Sequence, residues 1–336
     1  VNDHRQKPRR PFLPMRDGGG SFQIENPDDA TPIKEMFSFK DRLLLITEKC
    51  TYEVQVADQI DPERKNPDLP HNFQRKLFDY GIQSEALQRI LLQARMLLKQ
   101  EHLTIDVNLA QRLALDALQE FAAMDQAAKI FKNAEAREIE AYNRTQQQPR
   151  SLTLPSVGGV DTHCKTFSQK AHYFGRAMLA IAKLFMPRAP NWDEISDTIH
   201  QRFGPSDPFS TLIEEVVPNL KLVLNLRDAL EHQNKTVTVR DFTVDTDGTI
   251  APPTLELNFR KSVLPRTSVS SLMEELLTAL PIFFEMMTVH LSSKFTQPVA
   301  GLPIFVDLLP EELQQTRHVR FGYWAKMPNG QVMPFG

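Results

Sequence analysis

Apolar residues recur at three- and four-residue intervals along most of the chain, a spacing that predicts amphipathic helices. Ser84 is a candidate cap for a helix whose stripe is Leu87, Ile90, Leu91, Ala94, Leu97 and Leu98. A longer helix is predicted from Thr104 or Asp106 toward Tyr142, through Leu109, Leu118, Phe121 and Ile130. After a loop rich in Gln, Pro and Gly, the helical period resumes near Thr166 and runs through Phe174, Met178 and Ile181 to a stop near Pro187. Asn191-Trp192-Asp193-Glu194 opens a short helix ending near Phe203. Ile213, Val216, Val217, Leu220, Val223 and Leu230 mark another, with Pro218 predicting a kink or a division. Residues 268–293 form one further core helix, in which Pro281 conflicts with the pattern.

The period changes to two at Thr236-Val237-Thr238-Val239 and again at Thr254-Leu255-Glu256-Leu257-Asn258-Phe259. With Asp247-Gly248 between them, these segments predict an antiparallel pair. The first 75 residues lack a helical period and are broken by Gly18-Gly19-Gly20 and several prolines. Within them, Arg42-Leu43-Leu44-Leu45-Ile46 and Tyr52-Glu53-Val54-Gln55-Val56 are buried or half-buried segments of open type, because short apolar runs fix no period. Near the end of the chain the pattern predicts a helix over 310–316 and two short strands around the turn Pro328-Asn329-Gly330. The expected architecture is mainly α. A helical bundle spans 80–295 with a β hairpin near 236–259, preceded by an irregular arm and small peripheral lobe over 1–75. A C-terminal extension over 296–336 follows.

The 336 residues carry 39 basic and 42 acidic side chains, a formal charge of −3, so the chain as a whole is not a polycation drawn to nucleic acid. A local basic groove is still permitted. Cys50 and Cys164 are too few for a disulfide framework, which favours a reducing compartment, and the cytoplasm is the expected location. The longest apolar run, from Ala279 to Val289, contains Glu285 and falls short of the roughly 20 residues of a bilayer span, so no membrane partner is expected.

The sharpest candidate chemistry is Arg227-Asp228-Ala229-Leu230-Glu231-His232. A guanidinium matches phosphate oxygens through several donors, and an imidazole exchanges protons near neutral pH. Arg227 and His232 are five positions apart, about 140° around a regular helix, so unwinding at the helix end or a second subunit has to bring them to one pocket.

On these residues the chain resembles the HEPN superfamily, helical bundles that often carry an Arg-x4-6-His motif. Arg227 matches the arginine, Asp228 the polar position after it and His232 the histidine. The resemblance covers roughly residues 84–293. It implies an endoribonuclease that needs no metal or cofactor and transfers the phosphoryl bond to the adjacent ribose 2′-hydroxyl. Arg227 would stabilise phosphate and His232 move a proton, with Asp228, Glu231 and Asn234 in supporting roles. A homodimer would complete the site, and defence against phage or a toxin–antitoxin system would be the setting. The alternative is a non-catalytic RNA- or protein-binding regulatory protein. A purely structural reading competes with both, since Arg227 and Glu231 are spaced for a salt bridge and a histidine is favoured at a helix C-terminus.

Other features weigh less. Asp161, His163, Cys164 and His172 have metal-ligand chemistry without the spacing of a zinc motif, and loop contacts or a buried thiol explain them better. Gly18-Gly19-Gly20 lacks the lysine and hydroxyl residue of a phosphate-binding loop. Arg9-Arg10 and the stretch Arg317-His318-Val319-Arg320-Phe321-Gly322-Tyr323-Trp324 mix cations with aromatic surface, a composition suited to RNA or to an ordinary packed strand. Asn143-Arg144-Thr145 matches an N-glycosylation acceptor, whose use is not expected because the opening segment reads as an irregular arm with no apolar signal-peptide centre.

Overall fold

Leu44, Leu45 and Ile46 are three consecutive residues with no exposed surface, so the strand that holds them is covered on both faces. That is why its sequence shows a run instead of an alternation. A computed structural model describes residues 29–39, 42–66, 68–144, 153–232 and 236–335, and the chain divides into two compact units, Val1–Ser84 and Glu85–Gly336. In the first unit, β1 (Glu35–Phe39), β2 (Arg42–Ile46), β3 (Thr51–Val56) and β4 (Asn72–Phe78) pair in sequence order as an antiparallel sheet, with the single turn α1 (Ala57–Ile60) after β3. The segment expected to hold a small peripheral lobe, with Arg42–Ile46 and Tyr52–Val56 of open type, is thus an antiparallel sheet in its described part. The chain after β4 returns to the β2–β3 turn, where Ile82 N–H donates to the Thr47 carbonyl at 2.9 Å. Gly81 makes this approach possible, because a Cβ there would fall 2.1 Å from the Glu48 carbonyl carbon.

The second unit begins with a π-helical turn, Leu87–Leu92, continued by α2 (Gln93–Leu97). The long helices are α3 (Val107–Arg144), α4 (Val160–Phe185), α5 (Trp192–Phe203), α6 (Pro208–Glu231) and α7 (Val269–Phe295). Their starts follow from local chemistry. Asn191 accepts the Glu194 N–H at 3.1 Å to begin α5, and Asp207 accepts the Phe209 N–H at 2.9 Å to begin α6, with Pro208 in the first turn. α6 runs undivided through Pro218, which removes one of the two outcomes expected of that proline, and α7 is one helix in spite of the conflict at Pro281. Burial outweighs the local penalty: Ile213 and Val216 before Pro218, and Leu280 before Pro281, have no exposed surface. Each such side chain contributes about 1.5–3 kcal/mol when buried.

α3 packs along α4, α4 against α6, and α7 against α3, α4 and α6. Phe121, Phe174 and Phe284 form a chain of tilted rings through this core, with centroids 6.2 and 5.9 Å apart. α7, of mean hydropathy 1.3, is long and apolar enough to cross a bilayer by length and composition, yet much of its surface is buried inside the bundle.

Among the described residues, three small antiparallel sheets accompany the helices. The hairpin expected near 236–259 is larger than its sequence suggested: β8 (Thr254–Phe259) pairs with both β5 (Val237–Arg240) and β9 (Ser262–Ser268). The short strands β6 (Thr243–Val244) and β7 (Ile250–Ala251) pair beside the Asp247-Gly248 turn. β9 carries Pro265 and three exposed positions, which hid it in the sequence. In the last part of the chain, β10 (Ile304–Leu308), α8 (Glu311–Arg317), β11 (Phe321–Lys326) and β12 (Val332–Phe335) form a three-stranded sheet and a short helix. Tyr323 of β11 is fully buried and donates to the Leu97 carbonyl at 2.6 Å, which binds this sheet to α2. With 52% of the described residues helical, this is a mixed α/β fold in which helices hold the majority of the described residues.

Candidate functional site

The last turns of α6 carry the residues singled out by the sequence. Arg227 reaches Asp228 Oδ1 at 3.0 Å and Glu231 Oε2 at 2.9 Å through its two terminal nitrogens. Its Nε is buried with no hydrogen-bond partner. Asp228 is held from its other side by Arg260, Nη1 to Oδ2 at 3.0 Å. Two guanidiniums therefore face two carboxylates, and the charges of the four side chains balance.

Arg260 was not legible as part of this group. It sits in the turn between β8 and β9 with φ at 55°, a left-handed conformation that side chains other than glycine and asparagine seldom adopt. The same Nη1 donates to Asn225 Oδ1 at 3.1 Å, and Asn225 Nδ2 donates to Ser262 Oγ at 2.8 Å. One line of polar contacts thus runs from α6 into β9.

His172 of α4 is the second addition. It lies close enough to feel Arg227, Arg176, Asp228 and Glu231 as charges. Burial, then Arg227 and Arg176, hold its pKa below the ordinary imidazole value, so it is neutral at pH 7. His232 stands apart. It is exposed at the C-terminus of α6, where its backbone N–H donates to the Asp228 carbonyl at 3.1 Å, and its ring joins no ion pair or hydrogen bond with Arg227. Asn234 lies outside the described residues. The structure thus brings Arg227, Asp228 and Glu231 together and leaves His232 outside the group.

Asn225 and Ser262 also line a groove of about 540 Å³ between α5, α6 and the β8–β9 turn. Its apolar lining includes Val217, Pro218, Leu222 and Val263, and Val263 is 70% exposed. Pro218 has no N–H to give the Glu214 carbonyl, so the helix backbone beside the groove is open at that point. The charged lining is balanced. Lys221 pairs with Asp193, and Glu214 pairs with His200 at 2.9 Å, an interaction that raises the histidine's pKa. Lys261 alone of the charged lining makes no ion pair among the described residues.

The residues considered for metal separate on α4. Asp161 pairs with Lys165 at 3.8 Å, the His163 ring meets Phe131 edge-on at 5.5 Å, and burial pushes the Cys164 thiol up to about 12. Among the described residues no three His, Cys, Asp or Glu side chains are grouped to hold a metal ion. Cys50 and Cys164 are free and buried. In the stretch 317–324, Tyr323 is consumed by packing, Arg317 is half-buried and Arg320 is exposed. Arg9, Arg10, Gly18, Gly19, Gly20 and Thr145 lie outside the described residues. No protein-family model, curated protein or solved structure matches the chain.

Proposed function

We propose that this chain is a non-catalytic binding protein whose groove between α5, α6 and the β8–β9 turn receives a segment of another protein. The observation that carries this reading is the groove's lining, an apolar floor with balanced charges and one unpaired cation, Lys261. A channel for RNA backbone instead needs an excess of cations along its length. An exposed valine beside a lysine suits a segment that offers an apolar side chain and a carboxylate. The state of Arg227 supports the same reading, because a guanidinium already bound by two carboxylates has little left for phosphate.

The test compares the intact chain with Val263→Glu and Lys261→Glu variants in crosslinking and co-purification from its native cells. A defined protein partner lost in both variants, whose thermal stability is unchanged, is the expected result. A partner retained equally by both variants sinks the groove reading.

A second reading, the HEPN-type ribonuclease acting as a homodimer, draws support from His232, whose ring is exposed at the end of α6 and open to a second copy. In that reading Arg227 of one copy and His232 of the other would share the work. A panel of RNAs is incubated with the protein and a chelator, then with Arg227→Ala, His232→Ala and an equal mixture of the two variants. Cleavage lost in each variant and partly restored in the mixture would establish a shared site. Absence of cleavage across the panel leaves the binding reading standing.

A further inference from the structure

β9 is the outer strand of its sheet. β8 pairs with it on one side, and among the described residues no strand pairs with the other. The register shows which backbone groups face that open side. Asn258 N–H donates to the Thr236 carbonyl at 2.8 Å, so the backbone groups of Asn258 point toward β5. In an antiparallel sheet the N–H and C=O of one residue point to the same side, and the side alternates from residue to residue. Leu257 and Phe259 therefore face β9, where they pair with Leu264 and Ser262, and Val263, the partner of Asn258, turns both its groups away from β8. The two-residue turn Arg260-Lys261 leads to the same arrangement, because the residues flanking such a turn, here Phe259 and Ser262, form a hydrogen-bonded pair.

The groove lies at this edge. Lys261, Ser262 and Val263 line it opposite α5 and α6. Ser262 is turned inward, 9% exposed and bonded to Asn225, while Val263 is 70% exposed. Among the described residues no loop or turn bonds to the backbone of Val263. Pro265, two residues on, has no N–H to offer, and a proline on an edge strand prevents sheets from joining edge to edge over any length. The edge therefore suits a short segment. Lys261 sets the sign of its charge, as the one cation of the lining without an ion pair among the described residues.

An open N–H and C=O on one residue are both satisfied by an extended strand, and not by a helix, whose own backbone groups are already paired. Building on the binding role proposed for the groove, on which this rests, we infer that the occupant is an extended segment of a partner protein that adds to the edge of β9. Its backbone bonds the N–H and C=O of Val263, an apolar side chain enters the groove among Val217, Pro218 and Leu222, and a carboxylate pairs with Lys261. Backbone pairing supplies affinity, and the apolar lining and the lysine supply selectivity.

The free chain gives the first measurement. Amide exchange should be fast at Val263 and slower at Ser262 and Leu264, whose N–H groups face β8, and a Val263 amide as protected as Leu264 overturns the inference. A displayed library of random dodecapeptides is then selected on the full chain, and the enriched peptides are synthesised and titrated. They should carry an acidic residue, bind saturably and slow exchange at Val263 by about tenfold or more. Lys261→Glu and Val263→Glu each weaken binding by about tenfold or more. Replacing Val263 by α-hydroxyisovaleric acid, which keeps the side chain and lacks the N–H, weakens it by about fivefold or more, with thermal unfolding checking that the chain stays folded. Peptides lost in both glutamate variants that leave Val263 exchange fast and ignore the missing N–H overturn the strand and leave the groove reading standing. No enriched peptide, or peptides held equally by both variants, also overturns the inference, and the groove reading then rests on its own crosslinking test. Protection of Val263 that rises with protein concentration alone names a second copy of the chain and overturns the assignment to a partner.

Discussion

Arg260 in the β8–β9 turn and Asp228 on α6 meet at 3.0 Å, thirty-two residues apart in sequence, and this ion pair fastens the β sheet to the end of the helix. The contact is made by a residue with φ at 55°, so the turn holds a backbone strain that the side chain's two acceptors offset.

Asp228→Ala removes a partner from both Arg227 and Arg260 and should lower stability by about 1–3 kcal/mol in urea denaturation. At position 260, glycine accepts the left-handed backbone and alanine does not. Arg260→Gly is therefore expected to be about 1 kcal/mol more stable than Arg260→Ala. Equal stabilities for the two would show that the turn carries no strain.

Glu285 of α7 is 1% exposed and is bound by Arg89 of the π-helical turn and by Arg320. Burial raises its pKa, and the two arginines only partly counter this. An acid with a raised folded pKa contributes stability below its ordinary carboxylate range and loses it as pH rises through the folded value. Glu285→Gln should therefore gain on the parent chain as pH rises through that window. Arg89→Met leaves the buried carboxylate with the longer Arg320 contact alone and should cost about 3 kcal/mol at pH 7. Denaturation of both variants across pH 4 to 8 checks the two together, and a Gln variant as damaged as the Met variant would contradict the account.

His102, His172 and His290 are each held below the ordinary imidazole value, with burial the first cause in every case. The stability they contribute is present above that value and disappears as pH falls through their folded values. The chain should thus become easier to unfold on the acid side of about pH 6.5. His200, raised by Glu214, works in the opposite sense at the surface. His102→Gln, at a site 3% exposed between the rings of Tyr323 and Phe335, should flatten the acid slope.

Gly81→Ala places a methyl group against the Glu48 backbone, where no side-chain rotation can relieve it. The first unit should lose about 3 kcal/mol or more. Hydrogen exchange at Leu44, Leu45 and Val54 is the measurement, and protection unchanged from the parent would refute the close approach.

Pro218→Ala restores an N–H to α6 and should stabilise the helix by about 1–3 kcal/mol. Because Pro218 lines the groove, the same substitution should, on the proposed binding reading, reduce retention of a partner held there. Calorimetry and co-purification read the two effects separately.

The long helices were legible because their apolar stripes and caps are local. Asn191 and Asp207 act within three residues of themselves, and the faces of α3, α4, α6 and α7 follow the 3.6-residue period. Strands buried on both faces, such as β2, and edge strands with proline, such as β9, carry no such signature. Of the candidate site, the sequence determined that Arg227, Asp228 and Glu231 share one helix, and their spacing made an Arg227–Glu231 salt bridge one of the readings, which the structure contains. Only the tertiary structure decided that Arg260 and His172 join them and that His232 does not. The reason is that residues 172, 227 and 260 lie on three elements whose meeting depends on how the core packs, and no periodicity along a chain encodes which surfaces will face each other.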